Sequence, residues 1–435
     1  MDKITLFWFR RDLRLEDNHG LYEALRKHKN VQPIFIFDPN ILDKLKKNDA
    51  RVTFIHQELE KINKKLQKLN SSLLIVYDQP LNVFKKLSIE KNIDVVYTNK
   101  DYEPYGIKRD KEICDFLSSK NVSFQSFKDH VIYEEGEIVK DDGTPYKVYT
   151  PFSKKWITTF QKQKHSFFPS EKYQQNFIKE ENNSFLSLSD IGFIESNIPI
   201  PAYNISNELI DKYEDVRNFP AIEGTSKLGH HLRFGTVSVR KCVSEALKSD
   251  NITFLKELIW REFFMNILWH FPHTVTKAFK SKYDFIEYRN DKDEFKKWCE
   301  GKTGYPLVDA GMRELNATGF MHNRVRMLVG SFLCKHLLID WRWGEAYFAE
   351  KLLDFELSSN IGNWQWVAGC GVDAAPYFRI FNPTTQIQKF DKQLAYIHKW
   401  VPDFQELTYP APLVEHKFAR ERCLMVYKSA LNNLS

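Results

Sequence analysis

The hydrophobic pattern changes period part-way along the chain, and that change constrains what each half can fold into. Over residues 1–130, short apolar runs alternate with amphipathic stretches: Ile4–Phe9, Val31–Phe37, Leu73–Val76, Val95–Thr98 and Ser123–Phe127 read as buried strands. Between them, Arg51–Leu69 carries Val52, Ile55, Leu59, Ile62 and Leu66 on one stripe and reads as a helix. Strand–helix alternation predicts an α/β domain with a doubly wound parallel sheet. The turn after Phe9 is Arg-Arg-Asp-Leu-Arg and lacks GxGxxG, so a standard dinucleotide site is excluded.

From residue 206 onward the spacing is helical. Phe254–Trp269 is apolar on nearly every side and predicts a buried helix, and a second long helical stretch is expected from about Val308 to Leu338. Residues 131–205 differ from both halves. They hold Asp141-Asp-Gly-Thr-Pro, the Lys/Gln-rich Gln161–Lys164 and Glu180-Glu-Asn-Asn-Ser, and Pro199 and Pro201 close them. This composition predicts a connector draped over the surface. The expected division is an α/β domain at 1–130, a connector at 131–205 and a large all-α domain at 206–435.

Composition excludes several classes. Lys+Arg 63 against Asp+Glu 57 leaves +6, enough for a polyanionic partner but no basic arm. The N-terminus breaks into charges too early for a secretory signal, and no apolar run is long enough to span a membrane. The six cysteines show neither CxxC nor zinc spacing and read as thiols in a reducing cytosol; no metal site is expected. Aromatic residues make up 14% of the chain, and of the ten tryptophans only Trp8 and Trp156 precede residue 250. A large helical core explains most of these rings. Stacking on flat ligands, or electron passage between rings, is the sharper alternative.

Four stretches carry chemistry. Gly224-Thr-Ser-Lys-Leu-Gly-His-His ends in histidines where a phosphate loop needs GK[ST]. A helix start near Ser226–Leu228 leaves both an empty N-cap and a phosphate cradle open. Glu257 and Arg261 stand at i,i+4 with Trp260 on the flank, charges that are costly in such apolar surroundings unless they serve a site. Met321-His-Asn-Arg-Val-Arg-Met puts Asn323 and Met327 on one helical face and Arg326 on another. In the stretch from Asn360 to Pro383, Trp364 and Trp366 cannot share a helix face, so they line different walls of one cavity.

These motifs resemble the photolyase/cryptochrome flavoprotein family. The likeness runs from Phe7-Trp-Phe-Arg-Arg-Asp-Leu-Arg and Glu16-Asp-Asn through Glu257-Leu-Ile-Trp-Arg-Glu-Phe, Gly304-Tyr-Pro-Leu-Val-Asp-Ala-Gly-Met-Arg and Met321–Met327 to Phe378-Arg-Ile-Phe-Asn-Pro-Thr-Thr-Gln. Within the family it is most like the class I members that repair cyclobutane pyrimidine dimers. The resemblance implies an all-α domain holding bent FAD. Tyr213 and Thr225, Ser226, Lys227, Leu228 and Gly229 match the phosphate-binding segment, with Gly229 standing where serine is common. Arg326 and Asp354 match an ion pair beside the isoalloxazine, Glu356 lies near ring and ribose, and Asn360 matches the residue facing flavin N5.

The resemblance also implies a damage site. Glu257 would hydrogen-bond a pyrimidine carbonyl, Trp260 and Trp366 would pack on the flipped dimer, Asn323 would bond a base edge and Met327 would fill the remaining wall. Arg261 belongs to the same set, and Arg324 would grip phosphate. Trp364, Trp341 and Tyr288 match the chain of rings that reduces resting flavin, with tyrosine in the third place. The implied activity is light-dependent repair of pyrimidine dimers in ultraviolet-damaged DNA by electron transfer from reduced FAD. A blue-light-sensing cryptochrome and a (6-4) photolyase are the alternatives. A second antenna chromophore, whether deazaflavin, flavin or folate, would sit near Tyr102–Asp110, where Gly106 replaces the glutamate usual in folate binders. A monomer in the cytoplasm, on the nucleoid in a bacterium, is expected.

Overall fold

β1 (Ile4–Phe9) is buried at all six positions, so both of its faces must be covered. The computed structural model describes residues 3–179 and 185–432; Met1, Asp2, the Glu180–Ser184 tract of the expected connector and residues 433–435 lie outside them. After β1 come α1 (His19–Lys27), β2 (Val31–Phe37), α2 (Pro39–Leu42), α3 (Ala50–Gln67), β3 (Leu74–Tyr77), α4 (Pro80–Glu90), β4 (Ile93–Asn99), α5 (Pro104–Ser119) and β5 (Ser123–Phe127). The strands form one parallel sheet in the order β3-β2-β1-β4-β5. Alternation along β1 sends Phe7 and Phe9 into a core with Leu21, Leu59 and Phe35, and Leu6 and Trp8 into another with Phe84, Ile113 and Leu117. This is the doubly wound arrangement.

Strand order reverses between β1 and β4, the position where open α/β sheets bind ligands. Here the loops are filled by the chain's own charges. Asp12 accepts from the Arg10 amide at 2.7 Å and from Asn99 Nδ2 at 2.6 Å. The Arg10 and Arg109 guanidiniums each lie 4.9 Å from the Trp8 ring. Asp129, 1% exposed at its side chain, accepts from Arg14 at 2.7 and 2.8 Å and from Arg240 at 2.7 Å.

The remaining helices are α6 (Tyr149–Lys162), α7 (Asn207–Val216), α8 (Gly229–Phe234), α9 (Val239–Ala246), α10 (Thr253–His270), α11 (Lys292–Glu300), α12 (Pro306–Thr318), α13 (Asn323–Ser331), α14 (Trp341–Lys351), α15 (Leu357–Ala368), α16 (Pro383–Phe390), α17 (Ala395–Trp400) and α18 (His416–Asn432). The chain divides into two compact units. One holds Met1–Glu134, Thr158–Tyr203 and Lys227–Glu245; the other holds Glu135–Ile157, Asn204–Ser226 and Ala246–Ser435.

One expectation needs correction and another gains detail. The segment 131–205 is not simply a surface connector: α6 runs through it, and Trp156 is 1% exposed with its Nε1–H donating to Glu262 at 2.6 Å. The helical stretch expected from about Val308 to Leu338 is built of two helices and a π turn. Gly319, at φ +66°, ends α12, and the His322 side chain accepts the Arg324 amide to start α13. A π turn, Phe332–His336, follows α13. Asn323 therefore stands in the first turn of a helix.

In the helical unit, α10 and α15 pack together and α14 packs on α15. The main core gathers Trp298, Trp341, Trp364, Phe332 and Phe348. Phe254–Trp269 forms most of α10, and Ile259 and Phe263 on it are fully buried.

Candidate functional site: charged and aromatic clusters in the helical unit

The apolar build of α10 fixes the backbone from which Glu257 and Trp260 project. The i,i+4 residues Glu257 and Arg261 each find a partner from another element. Glu257 accepts from Arg217 Nη1, just after α7, and Arg261 Nε lies 3.2 Å from Glu356 Oε2 at the start of α15. Tertiary packing, not local helix spacing, brings in these partners. Arg217 also lies 5.3 Å from the Tyr213 ring, and Tyr213 meets Phe254 edge-on at 5.2 Å. Burial and the nearby Glu257 carboxylate push the Tyr213 phenol up to about 12.

Trp260 is half-buried and stacks on Tyr149 at 3.7 Å with 6° between the planes. Tyr149 Oη donates to Lys256 O at 2.7 Å, which holds the ring in place. Tyr149 comes from the segment taken for a connector, and no motif pointed to it. Its one sequence signal is the helical spacing of Tyr149, Phe152 and Trp156, all buried.

On α13, Asn323 is exposed. Arg324 donates to Asn218 Oδ1, contacts Met327 Sδ at 3.6 Å and lies 4.4 Å from the Phe390 ring. Burial and the neighbouring Arg217 lower the Arg324 pKa from its ordinary value. The structure thus joins Glu257 to Arg217 and Arg324 to Met327, with the two guanidiniums near enough to repel; sequence reading missed Arg217. Trp366 is half-buried at the edge of the main core.

Arg326 and Asp354 pair through two bonds, at 3.2 and 2.9 Å, and Arg326 Nε also donates to Met321 O at 2.7 Å. Asn360, on α15, is 8% exposed and donates from Nδ2 to Glu345 O at 3.1 Å and to Glu345 Oε1 at 2.8 Å. Burial raises the Glu345 pKa. With Nδ2 held this way, the Asn360 amide oxygen is the end left to meet a donor. Glu345 was missed as well, because fifteen residues of separation follow no local spacing rule. Thr225 and Ser226 fall in the helical unit, whereas Lys227, Leu228 and Gly229 count with the other. Lys227 adopts φ +53°, and α8 starts at Gly229, later than expected, with Leu228 at its N-cap and no side-chain capping bond.

Trp364 is 3% exposed and packs beneath α14, where a β-carbon on Gly344 would overlap the Trp364 ring edge. Gly344→Ala is expected to cost about 1–3 kcal/mol by overpacking. A thermal melt with an unchanged midpoint would show that the ring moves aside freely. Trp341 is 2% exposed and lies in the same core, with the Arg342 guanidinium 4.7 Å from its ring. Tyr288 packs against a smaller cluster of Ile286, Leu338, Cys423 and Tyr427.

Residues 5–170 match the family model described as DNA photolyase, and residues 254–408 match the FAD binding domain of DNA photolyase. A deoxyribodipyrimidine photo-lyase of Agrobacterium fabrum is 35% identical, over 97% of this chain and 97% of its own length. The chain belongs to the DNA photolyase family. Two solved photolyases agree with its fold. A bacterial class III photolyase from Agrobacterium tumefaciens superposes with a TM-score of 0.87 at 32% identity, covering 99% of this chain and 98% of that one. An archaeal photolyase from Sulfolobus tokodaii, solved with two FAD molecules, gives 0.82 at 31% identity, covering 98% of this chain and all of that one. Among the described residues of this photolyase-family chain there is no cluster suited to a metal ion, and no helix long and apolar enough to cross a membrane.

Proposed function

We propose that this chain is a deoxyribodipyrimidine photo-lyase, an enzyme that repairs cyclobutane pyrimidine dimers in DNA under light with FAD as its cofactor. The observation that carries the reading is the near-full-length match to an enzyme of that name, at 35% identity. The donor set of the helical unit fits a reduced flavin. Asn360 offers a neutral amide oxygen suited to a protonated ring nitrogen, and the Arg326–Asp354 pair supplies both charges beside it. Bound reduced FAD supplies the light-excited electron donor; the protein supplies grip, orientation and dielectric.

In this reading Tyr213, Thr225, Ser226, Lys227, Leu228 and Gly229 hold the cofactor's phosphates, and Glu356 borders the ring and ribose. Glu257 holds a pyrimidine carbonyl oxygen and steadies the charge an extra electron puts there. Trp260 and Trp366 flank the flipped dimer, Met327 fills the wall, Asn323 bonds a base edge, and Arg261 keeps Glu356 in place. Arg324 grips backbone phosphate, so binding weakens with salt. Trp364, Trp341 and Tyr288 refill the flavin from outside. The S. tokodaii photolyase, with two FAD molecules, supports a flavin as the second chromophore here. The same reading takes the working form as a cytoplasmic monomer, on the nucleoid in a bacterium.

The test uses ultraviolet-irradiated oligo(dT), a reductant and blue light. Thymine absorbance is expected to recover under light and not in the dark. A chain that carries reduced FAD and restores no absorbance is a sensor or a (6-4) enzyme instead, and a (6-4) substrate in parallel separates the two.

A further inference from the structure

The ring contacts of Trp364 among the described residues are with Trp298, at 6.2 Å and 69°, and with Phe348, at 5.0 Å. Phenylalanine is hard to oxidise and indole is easy, so Trp298 is the neighbour able to give Trp364 an electron. Trp298 is 0% exposed, and its Nε1–H donates to Val329 O at 3.2 Å. It is held in one position, and water is kept from the indole. Its own contacts continue outward to Tyr347, at 5.8 Å and 63°. Tyr347 is half-buried, and its hydroxyl bonds to Asn316 Oδ1 at 2.6 Å and to Cys299 O at 3.2 Å. Asn316 is exposed. Three oxidisable rings therefore run from the deep core to a hydroxyl that reaches solvent through one side chain.

We infer that Trp298 and Tyr347 form a second electron-relay branch into Trp364, separate from Trp341 and Tyr288. This rests on the reading of the helical unit as an FAD site with Trp364 as its first donor. The oxidant is the light-excited oxidised flavin. Trp364 loses one electron to it and becomes a radical cation. Trp298 passes one electron to Trp364 and is itself oxidised. Tyr347 passes one electron to Trp298 and loses its phenolic proton to solvent at Asn316, leaving a neutral tyrosyl radical. One electron has entered the flavin, one proton has left the protein, and both tryptophans are restored. The hydroxyl bonds of Tyr347 suit it to end such a branch, because the proton has an exit at the point where the electron leaves. The Lys351 ammonium, 5.5 Å from the Tyr347 ring, disfavours a lingering cation there and so favours the neutral radical.

The experiment follows light-driven radicals by transient absorption and by electron paramagnetic resonance with ring-deuterated tyrosine, in the protein purified with its FAD. In Trp341→Phe, photoreduction is expected to fall but to persist with a tyrosyl signal. Adding Tyr347→Phe is expected to remove that signal, whereas adding Tyr288→Phe leaves it. Tyr347→Phe deletes only a hydroxyl at a half-buried site, so the outcome does not depend on a core substitution. Adding Trp298→Phe to Trp341→Phe is expected to abolish photoreduction, with circular dichroism confirming the fold. Loss of all photoreduction in Trp341→Phe alone overturns the branch, as does a tyrosyl signal that survives Tyr347→Phe. A chain that purifies without any flavin absorbance overturns the FAD reading itself and this branch with it.

Discussion

Asp129→Ala is expected to destabilise the α/β unit by about 3–5 kcal/mol, the penalty typical of removing one member of a buried ion cluster. The carboxylate is 1% exposed and receives bonds from two guanidiniums, Arg14 and Arg240, with the His19 amide adding another at 3.2 Å. Its removal takes the carboxylate partner from Arg14 and leaves Arg240 with Asp17, at 3.0 Å. In a unit of this size the melting temperature should fall by roughly 10 °C. The two guanidiniums hold the carboxyl well below the usual carboxylate range against the opposing effect of burial. A depressed folded-state pKa contributes stability that is present above the unfolded value, near ~3.9, and is lost as pH falls through the folded one. The gap between wild type and Asp129→Ala should therefore be widest near neutrality and narrow below pH ~4. Urea midpoints across that range check both sign and size, and a variant as stable as wild type at neutral pH contradicts the account. Asp129→Asn, which keeps the shape, should lose most of the same stability.

His336→Gln is expected to act in the opposite direction in acid. The imidazole is 0% exposed, stacks on Phe332 at 4.7 Å and shares a hydrogen bond with His416 Nδ1 at 2.9 Å. Burial, with His416, Arg422 and Lys335 adding repulsion, lowers its pKa to about 3. The unfolded chain takes up a proton near pH ~6.5 and the folded chain does not, so stability falls with acid by about 1.4 kcal/mol per pH unit between those values. By pH ~4 this amounts to roughly 3 kcal/mol. The glutamine variant escapes that loss. It should be less stable than wild type at pH ~7.5, where the histidine bond is intact, yet unfold at a lower pH in an acid titration followed by circular dichroism. An acid midpoint that stays put or rises would mean that His336 is charged in the folded protein.

The strands were legible because their period is local. β1 runs over Ile4–Phe9 as expected, a short apolar run bounded by Lys3 and Arg10. α6 was hidden because its three buried rings, Tyr149, Phe152 and Trp156, are separated by Lys and Thr that make the stretch look solvated. The break at Gly319 was hidden for the reverse reason. Apolar residues keep helical spacing on both sides of it, and the Leu353 amide bonded to Gly319 O at 2.9 Å, which helps fix the turn, comes from far along the chain. Ion partners were the least legible. Glu257 and Arg261 satisfy an i,i+4 rule, yet the fold delivers Arg217 and Glu356 to them, and no spacing rule covers such separations. The Arg326–Asp354 pair was reachable only through the family resemblance, not through distance in sequence.

Tyr149 lies flat on Trp260, and one consequence concerns how many ways a guest ring can be received. An indole open on both sides accepts a flat molecule from either side and in either hand. With one side already taken by a phenol tied to Lys256 O, Trp260 has at most the other side to offer. The number of encounter poses falls, and the ordering entropy of the receiving wall was lost when the protein folded, before any guest arrived. A ring delivered to this wall is oriented by exclusion as much as by attraction.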